Sequence, residues 1–329
     1  MKPVDFLYLS QEDVIALNVP LAEVSRAVER ALIEHANKTV EMPPKPGVHP
    51  TYENTFIHAM PAYLKGMDAC GIKWVGGFPR NHEYDLPNIS GLIVLNDTHT
   101  GIPLSVMDCR WVTTVRTALV SSIAARYCAN PKPSALAIVG AGLQGRYHAL
   151  AITHALPGVS EIRCYDVFEN ALKRFQGWVS PWFKGKLVMC SDPGPCVRGA
   201  DIIATCTPGD KAIVQNDWFK SGATGIGIEG ACAWEIDATR GADKFIVDDI
   251  PQARYFEKLG DFPGGLRDVY AELGDVVAGH KKGRDNPNER VLVTPLGLAV
   301  EDIAVAQVIY QKALERGAGT RLPLMSQEL

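Results

Sequence analysis

With 329 residues, 47% of them hydrophobic and 21% charged, the chain has the make-up of a folded protein long enough for two domains. Its formal net charge of −4 supplies no basic surplus for a nucleic acid or an anionic membrane surface. Pro, Gly and charged residues break every apolar run well short of the ~18 residues that a membrane span needs, so neither partner is expected.

The opening "MKPVDFLYLSQEDV" carries acidic residues and lacks the unbroken apolar core of a secretory signal. Eight cysteines are scattered through apolar segments with no CxxC pair, which reads as reduced thiols buried in a cytoplasmic protein. No HExxH or Cys/His spacing points to a metal. Ser10, with Glu12 and Asp13 after it, marks a helix start, and Val24, Ala27, Val28, Ala31 and Leu32 recur at helical spacing. A Pro-rich crossing, "MPPKPGVHP", leads into "TFIHAMPAYL", "ACGIKWVGGF", "GLIVLND" and "IPLSVMD". These β-rich runs, separated by turn residues, predict a small antiparallel sheet or half-barrel. "WVTTVRTALVSSIAARYCA" resumes the helical period, and "NPKPS" at residues 130–134 closes it.

From residue 135 short apolar runs alternate with helix-like segments: "ALAIV", "EIRCY", "KLVMC", "DIIATC", "ATGIGI" and "KFIVD". Such alternation predicts a doubly wound parallel α/β sheet covered on both faces. The chain ends in "LAVEDIAVAQVIYQKALERGAG", a long amphipathic helix closed by glycines. Lys281, Lys282 and Arg284 form the one basic cluster and read as a solvated loop.

"ALAIVGAGLQGRYHALAI" places Gly140, Gly142 and Gly145 between an apolar strand and a helix, the context that a dinucleotide fingerprint requires. Gly140 permits the tight turn, Gly142 lets backbone approach a pyrophosphate, and Gly145 allows close helix packing. Leu143 and Gln144 open the helix within the same turn. Asp166 ends the second strand at the spacing where a carboxylate holds the ribose hydroxyls of NAD and repels a 2′-phosphate.

Two cations interrupt apolar stretches of the first segment: Lys73 in "CGIKWVGGF" and Arg116 in "VTTVRTALVSS". As a buried pair they suit a substrate carboxylate. The alternatives are a snorkelling edge-strand lysine and a salt bridge on a helix face. Glu229 closes "ATGIGIE" at the carboxyl end of the fifth parallel strand, where open α/β sheets bind their ligands. A carboxyl held there against an apolar wall could move a proton, whereas the plainer alternative is a loop glutamate. His148 reads as a packing or surface residue.

The sequence resembles the ornithine cyclodeaminase/mu-crystallin family over nearly its whole length. The resemblance rests on "MPAYL", "GIKWVGGFPRNHEYDLPNISGLIVLND", "TTVRTALVSSIAARY", "VGAGLQGRYHALA", "DIIATCTPG", "YAELGDVVAGHKKGR" and "GLAVEDIAVAQVIYQKALERG". It implies an NAD-binding Rossmann domain at 131–298. It also implies an α+β substrate domain from 1–130 with 299–329, whose pairing makes a homodimer. By the same resemblance Lys73 and Arg116 hold the carboxylate of a small amino or imino acid, assisted by Lys45 or, in competition, His49. Gln144, Asp166 and Thr207 line the cofactor, NAD or NADH, joined by Asn88 and Thr117. Glu229 falls where the family has a proton-handling aspartate.

Three departures surround that position: Glu for Asp, "GACAWEID" with Trp234 where a lysine often stands, and "TPLG" for a common Ser-Thr-Gly. They favour a redox enzyme, an imine reductase or amino-acid dehydrogenase. The alternatives are a cyclodeaminase turning ornithine into proline and ammonia, and a non-catalytic dinucleotide-binding protein.

Overall fold

A reciprocal cap launches the first helix. Asp13 N donates to Ser10 Oγ at 3.1 Å, and Ser10 N donates back to the Asp13 carboxylate at 2.9 Å. The structure, a computed structural model, describes residues 2–51, 54–208 and 211–326. In chain order its main elements begin with strand β1 (Val4–Leu9) and helices α1 (Gln11–Ala16) and α2 (Leu21–Ala36). Strands β2 (Phe56–Leu64), β3 (Ala69–Gly77), β4 (Ile89–Asn96) and β5 (Pro103–Asp108) follow, then α3 (Arg110–Cys128). Next come β6 (Ala135–Val139), α4 (Leu143–Ala155), β7 (Glu161–Tyr165), α5 (Glu169–Val179) and β8 (Lys186–Cys190). β9 (Ile202–Thr205), β10 (Thr224–Gly227), β11 (Lys244–Val247), β12 (Val291–Thr294), α6 (Ala299–Arg316) and β13 (Thr320–Met325) complete the chain.

The chain forms two compact units, Met1–Arg116 with Leu298–Leu329, and Thr117–Gly297. The division falls inside α3, whereas the proline-rich stretch at 130–134 follows the end of that helix.

The first unit is built on an eight-stranded sheet of order β13-β1-β5-β4-β3-β2, closed by the short strand Val40–Glu41, with Gly47–Val48 also pairing with β2. β2 to β5 form the expected antiparallel meander. The sheet is nevertheless mixed, because β1 lies parallel to β5 and pairs antiparallel with β13. Neither of those strands is legible in the sequence pattern. On the inner face, cross-strand register puts Leu9, Met107, Ile93, Lys73 and Met60 in one continuous row, all of them buried. Helices α6 and α2 pack together, and α6 lies on β2, β3 and β4.

The second unit is an eight-stranded, wholly parallel sheet of order β8-β7-β6-β9-β10-β12-β11, ended by Ala271–Glu272. Every residue of β6, β9, β10, β11 and β12 is buried, as central strands covered on both faces require. The chain winds outward from β6 through β7 to β8, then returns to the other side of β6 with β9. That reversal makes the β6/β9 boundary the switch point where such sheets bind ligands. The basic cluster is only partly solvated. Lys281 and Lys282 are exposed, but Arg284 donates to the carbonyls of Cys128 (2.8 Å) and Ala223 (3.3 Å) and to Thr224 Oγ1 (3.1 Å). It ties the end of α3 to β10 as a structural clasp. His148 is wholly buried in α4, within hydrogen-bonding distance of Gln144 O (2.8 Å) and Ser121 Oγ (2.9 Å), a packing residue.

Candidate active site

Within the second unit, four features named from the sequence lie beyond the carboxyl ends of adjacent strands: the glycine turn after β6, Asp166 after β7, Thr207 after β9 and Glu229 after β10. Gly140 has φ +107°, and a Cβ on it would lie 2.5 Å from Cys206 O, so no other residue fits the turn. A Cβ on Gly145 would lie 1.9 Å from Gly140 O, because the helix starts hard against the turn. Gly142, at the N-cap of α4, differs: a Cβ there would meet nothing within 4 Å. Open space at the helix N-terminus, where backbone N–H groups lack helical acceptors, is a cradle for a pyrophosphate. Leu143 is exposed at the mouth of that cradle, and the buried Oε1 of Gln144 has no hydrogen-bond partner.

Asp166 is half-buried and already organises the turn. Its carboxylate accepts from Ala141 N at 2.7 Å and from Phe168 N at 2.9 Å. Each carboxylate oxygen has a second lone pair for a ribose hydroxyl. Val167 and Phe168, 72% and 70% exposed, extend an apolar shelf beside it. The open cradle, the orphaned amide oxygen and the acidic strand end together fit an NAD dinucleotide.

Glu229 is the most unusual group of this unit. Both carboxyl oxygens are shielded from solvent, and neither has a hydrogen-bond partner. Burial pushes the carboxyl up to about 8. Nearby polar atoms of Thr205 and Thr207 oppose that rise but do not reach hydrogen-bonding geometry, and the charge of Asp261 adds to it. Glu229 therefore carries a proton at neutral pH.

In the first unit, Lys73 lies on an interior strand and is 1% exposed, so it is no snorkelling edge lysine. Its apolar row offers no counter-charge, and α6 supplies one. Lys73 Nζ donates to Asp302 Oδ2 at 2.6 Å, Arg116 Nε to Asp302 Oδ1 at 3.1 Å, and Arg116 Nη1 to Glu301 Oε2 at 3.0 Å. Burial pulls the Lys73 ammonium below its ordinary value, and the Asp302 charge opposes that pull. The two cations, which their sequence context suits to a substrate carboxylate, are already joined to two buried carboxylates of the chain itself. An ammonium has three N–H donors and a guanidinium five, so an ion pair does not exhaust either group.

Glu301 and Asp302 were missed in the sequence. Their signal was two adjacent acids in the first turn of the otherwise apolar "GLAVEDIAVAQV", which buried charges could occupy only with partners. His58 was missed as well. It lies diagonally across from Lys73 on the inner face, since His58 pairs with Val75 and Met60 with Lys73. Burial and the charges of Lys45, His49 and Lys73 push its imidazole down to about 3, leaving it neutral. Lys45 is buried just before the strand Gly47–Val48 that pairs with His58, while its competitor His49 is exposed. Asn88 is exposed, and its carbonyl accepts from Phe78 N at 2.9 Å. Thr117 begins the part of α3 that belongs to the second unit. Among the described residues no His, Cys, Asp or Glu cluster could hold a metal ion.

The doubly wound sheet, with its glycine turn and acidic strand end, is that of an NAD-binding enzyme. The profile of the ornithine cyclodeaminase/mu-crystallin family matches residues 6–317, and the chain belongs to that family. It is 33% identical to alanine dehydrogenase of Archaeoglobus fulgidus over 96% of this chain and 98% of that one. The structure of Thermococcus litoralis Δ1-pyrroline-2-carboxylate reductase, in complex with NADH and L-proline, matches with a TM-score of 0.87 at 29% identity, over 96% of this chain and 99% of that one. An archaeal alanine dehydrogenase dimer with bound NAD matches with a TM-score of 0.88 at 32% identity, over 97% and 99% of the two chains.

Proposed function

We propose that this protein is an NADH-dependent oxidoreductase of a 2-amino or 2-imino acid, working at the carbon alpha to a carboxylate. The observation that carries the reading is the buried, protonated Glu229 at the same strand edge as the dinucleotide turn. When bound, the dinucleotide supplies or accepts the hydride. Gly142, Leu143, Gln144 and the α4 N-terminus hold its pyrophosphate, Asp166 its ribose, and Asn88, Thr117 and Thr207 its remaining edges. Lys73 and Arg116, fixed by Asp302 and Glu301, hold the substrate carboxylate with Lys45. Glu229 gives its proton to the substrate nitrogen during reduction and recovers it in the reverse direction. Similarity to a reductase of a cyclic imino acid and to an alanine dehydrogenase supports the same substrate class.

One incubation tests this. NADH with a panel of 2-imino acids should give absorbance loss, while NAD with L-ornithine should give no ammonia. Ammonia and proline from ornithine, without net NADH, would replace the reading with a cyclodeaminase. Arg116→Lys keeps the buried charge but loses the planar fork, so KM for the imino acid should rise roughly tenfold while NADH affinity stays unchanged. An unchanged KM removes Arg116 from the substrate site.

The protein is further read as a homodimer paired through the outer face of the first sheet. There Tyr8, Val106, Val94 and Ile72 form a row in register, and Trp74 and Leu92 pair directly at 49% and 44% exposure. A related alanine dehydrogenase is a dimer, which supports this. Eight thiols outside any disulfide, six of them buried, suit a cytoplasmic location.

A further inference from the structure

In the second unit the helix Ile250–Glu257 follows β11, and the segment 258–270 returns beside it. Between the helix and that segment lies a cavity of about 660 Å³, a size that suits a small organic ligand. Two contacts fix its walls. Glu257 Oε1 accepts from Leu266 N at 2.8 Å and ties the end of the helix to the returning segment. Arg267 Nη1 donates to the carbonyls of Thr239, Arg240 and Ala242 at 2.8, 3.1 and 2.7 Å, which anchors the segment further along. The remaining lining divides by chemistry. Ile250, Leu266 and Val269 pack against the core of the unit and form an apolar floor. Arg254 and Lys258 are exposed one helical turn apart, and neither side chain has a hydrogen bond or ion pair among the described residues. Asp268 is exposed on the returning segment and accepts no hydrogen bond, although its charge acts on Arg267.

We propose that this cavity binds an α-amino acid with an apolar side chain. Water solvates single surface charges well, so none of the three marks a site by itself. Their common setting does, because all three line one cavity with an apolar floor. Arg254 and Lys258 suit a carboxylate, Asp268 suits an ammonium, and the floor suits an apolar side chain. A simple organic anion would bring its charge to Asp268 as well, and a simple amine would bring its charge to two cations. A zwitterion answers both signs. The assignment stands apart from the roles given to Glu229 and Arg116, and its test reads binding alone.

The test is hydrogen–deuterium exchange of peptides covering 250–270, with L-phenylalanine as the probe, run beside calorimetric titration. L-Phenylalanine should slow exchange in those peptides. 3-Phenylpropanoate lacks the ammonium and 2-phenylethylamine lacks the carboxylate, so each should bind roughly tenfold more weakly or worse. Arg254→Ala combined with Lys258→Ala should weaken L-phenylalanine by a similar factor, and so should Asp268→Ala. All three side chains are exposed, so both variants should melt with the wild type. L-Phenylalanine bound beside the dinucleotide would persist in both variants, and their exchange at 250–270 separates the two sites. No slowing at 250–270, or equal slowing in the wild type and both variants, overturns the proposal. Equal binding of L-phenylalanine and 3-phenylpropanoate by the wild type overturns it too, because the cavity would then take any organic anion. That comparison needs no variant to fold.

Discussion

Glu229 and Asp302 are both buried acids, and opposite surroundings give them opposite tasks. Burial holds the Glu229 carboxyl at about 8 rather than the ordinary 4.5. The folded protein therefore binds a proton that the unfolded chain has already lost over that interval. This contribution to stability is complete below about pH 4 and is lost as pH climbs to about 8, at up to about 1.4 kcal/mol per pH unit. Glu229→Gln cannot titrate, so its denaturation midpoint should gain on the wild type between about pH 5 and pH 8. A constant difference across that range contradicts the assignment. The same variant should lose roughly 10²-fold in turnover, as removal of a general acid does. Asp302 instead accepts from both Lys73 and Arg116. Asp302→Asn leaves the buried Lys73 ammonium without its carboxylate, while Arg116 keeps Glu301, and should cost about 3–5 kcal/mol in chemical denaturation.

At the scale of the element, the turn between β6 and α4 separates the glycines that shape the fold from the one where a Cβ would meet open space. Gly145→Ala drives a methyl into Gly140 O, so the melting temperature should fall and cofactor binding should fall with it. Gly142→Ala meets nothing in the protein alone, so the melting temperature should hold while NADH affinity, followed by nicotinamide fluorescence, drops at least tenfold. Equal NADH affinity in Gly142→Ala and the wild type would place the pyrophosphate elsewhere. Asp166 belongs to the same element, because it braces the turn through Ala141 N, and it is the residue proposed to hold the ribose. Asp166→Ser should therefore weaken NADH binding and narrow the preference for NADH over NADPH together.

At the scale of the whole molecule, the outer sheet face makes a claim that composition alone could not. Trp74→Glu places a charge at the centre of the exposed apolar face and should give monomers by light scattering, with each unit's secondary structure kept. A variant that remains dimeric would move the interface off this face.

The parallel unit was legible almost strand by strand, because a strand buried on both faces shows as a short apolar run and its glycine turn has a local shape. The places of Glu229 and Asp166 were legible for the same reason, since each follows the carboxyl end of a parallel strand. Lys73 was visible as a charge in an apolar run, but its partners were not, because Asp302 lies 229 residues away in sequence. β1 and β13 escaped notice because neither alternates cleanly and each is a strand only by pairing with a chain segment far away in sequence. The sequence by itself determined the doubly wound class, the dinucleotide turn and the type of chemistry, all of which depend on neighbours within about thirty residues. Only the tertiary structure decided that the two cations are held by carboxylates on α6 and that Glu229 is left without a donor. Both depend on which distant groups share a buried volume, and no local pattern records that.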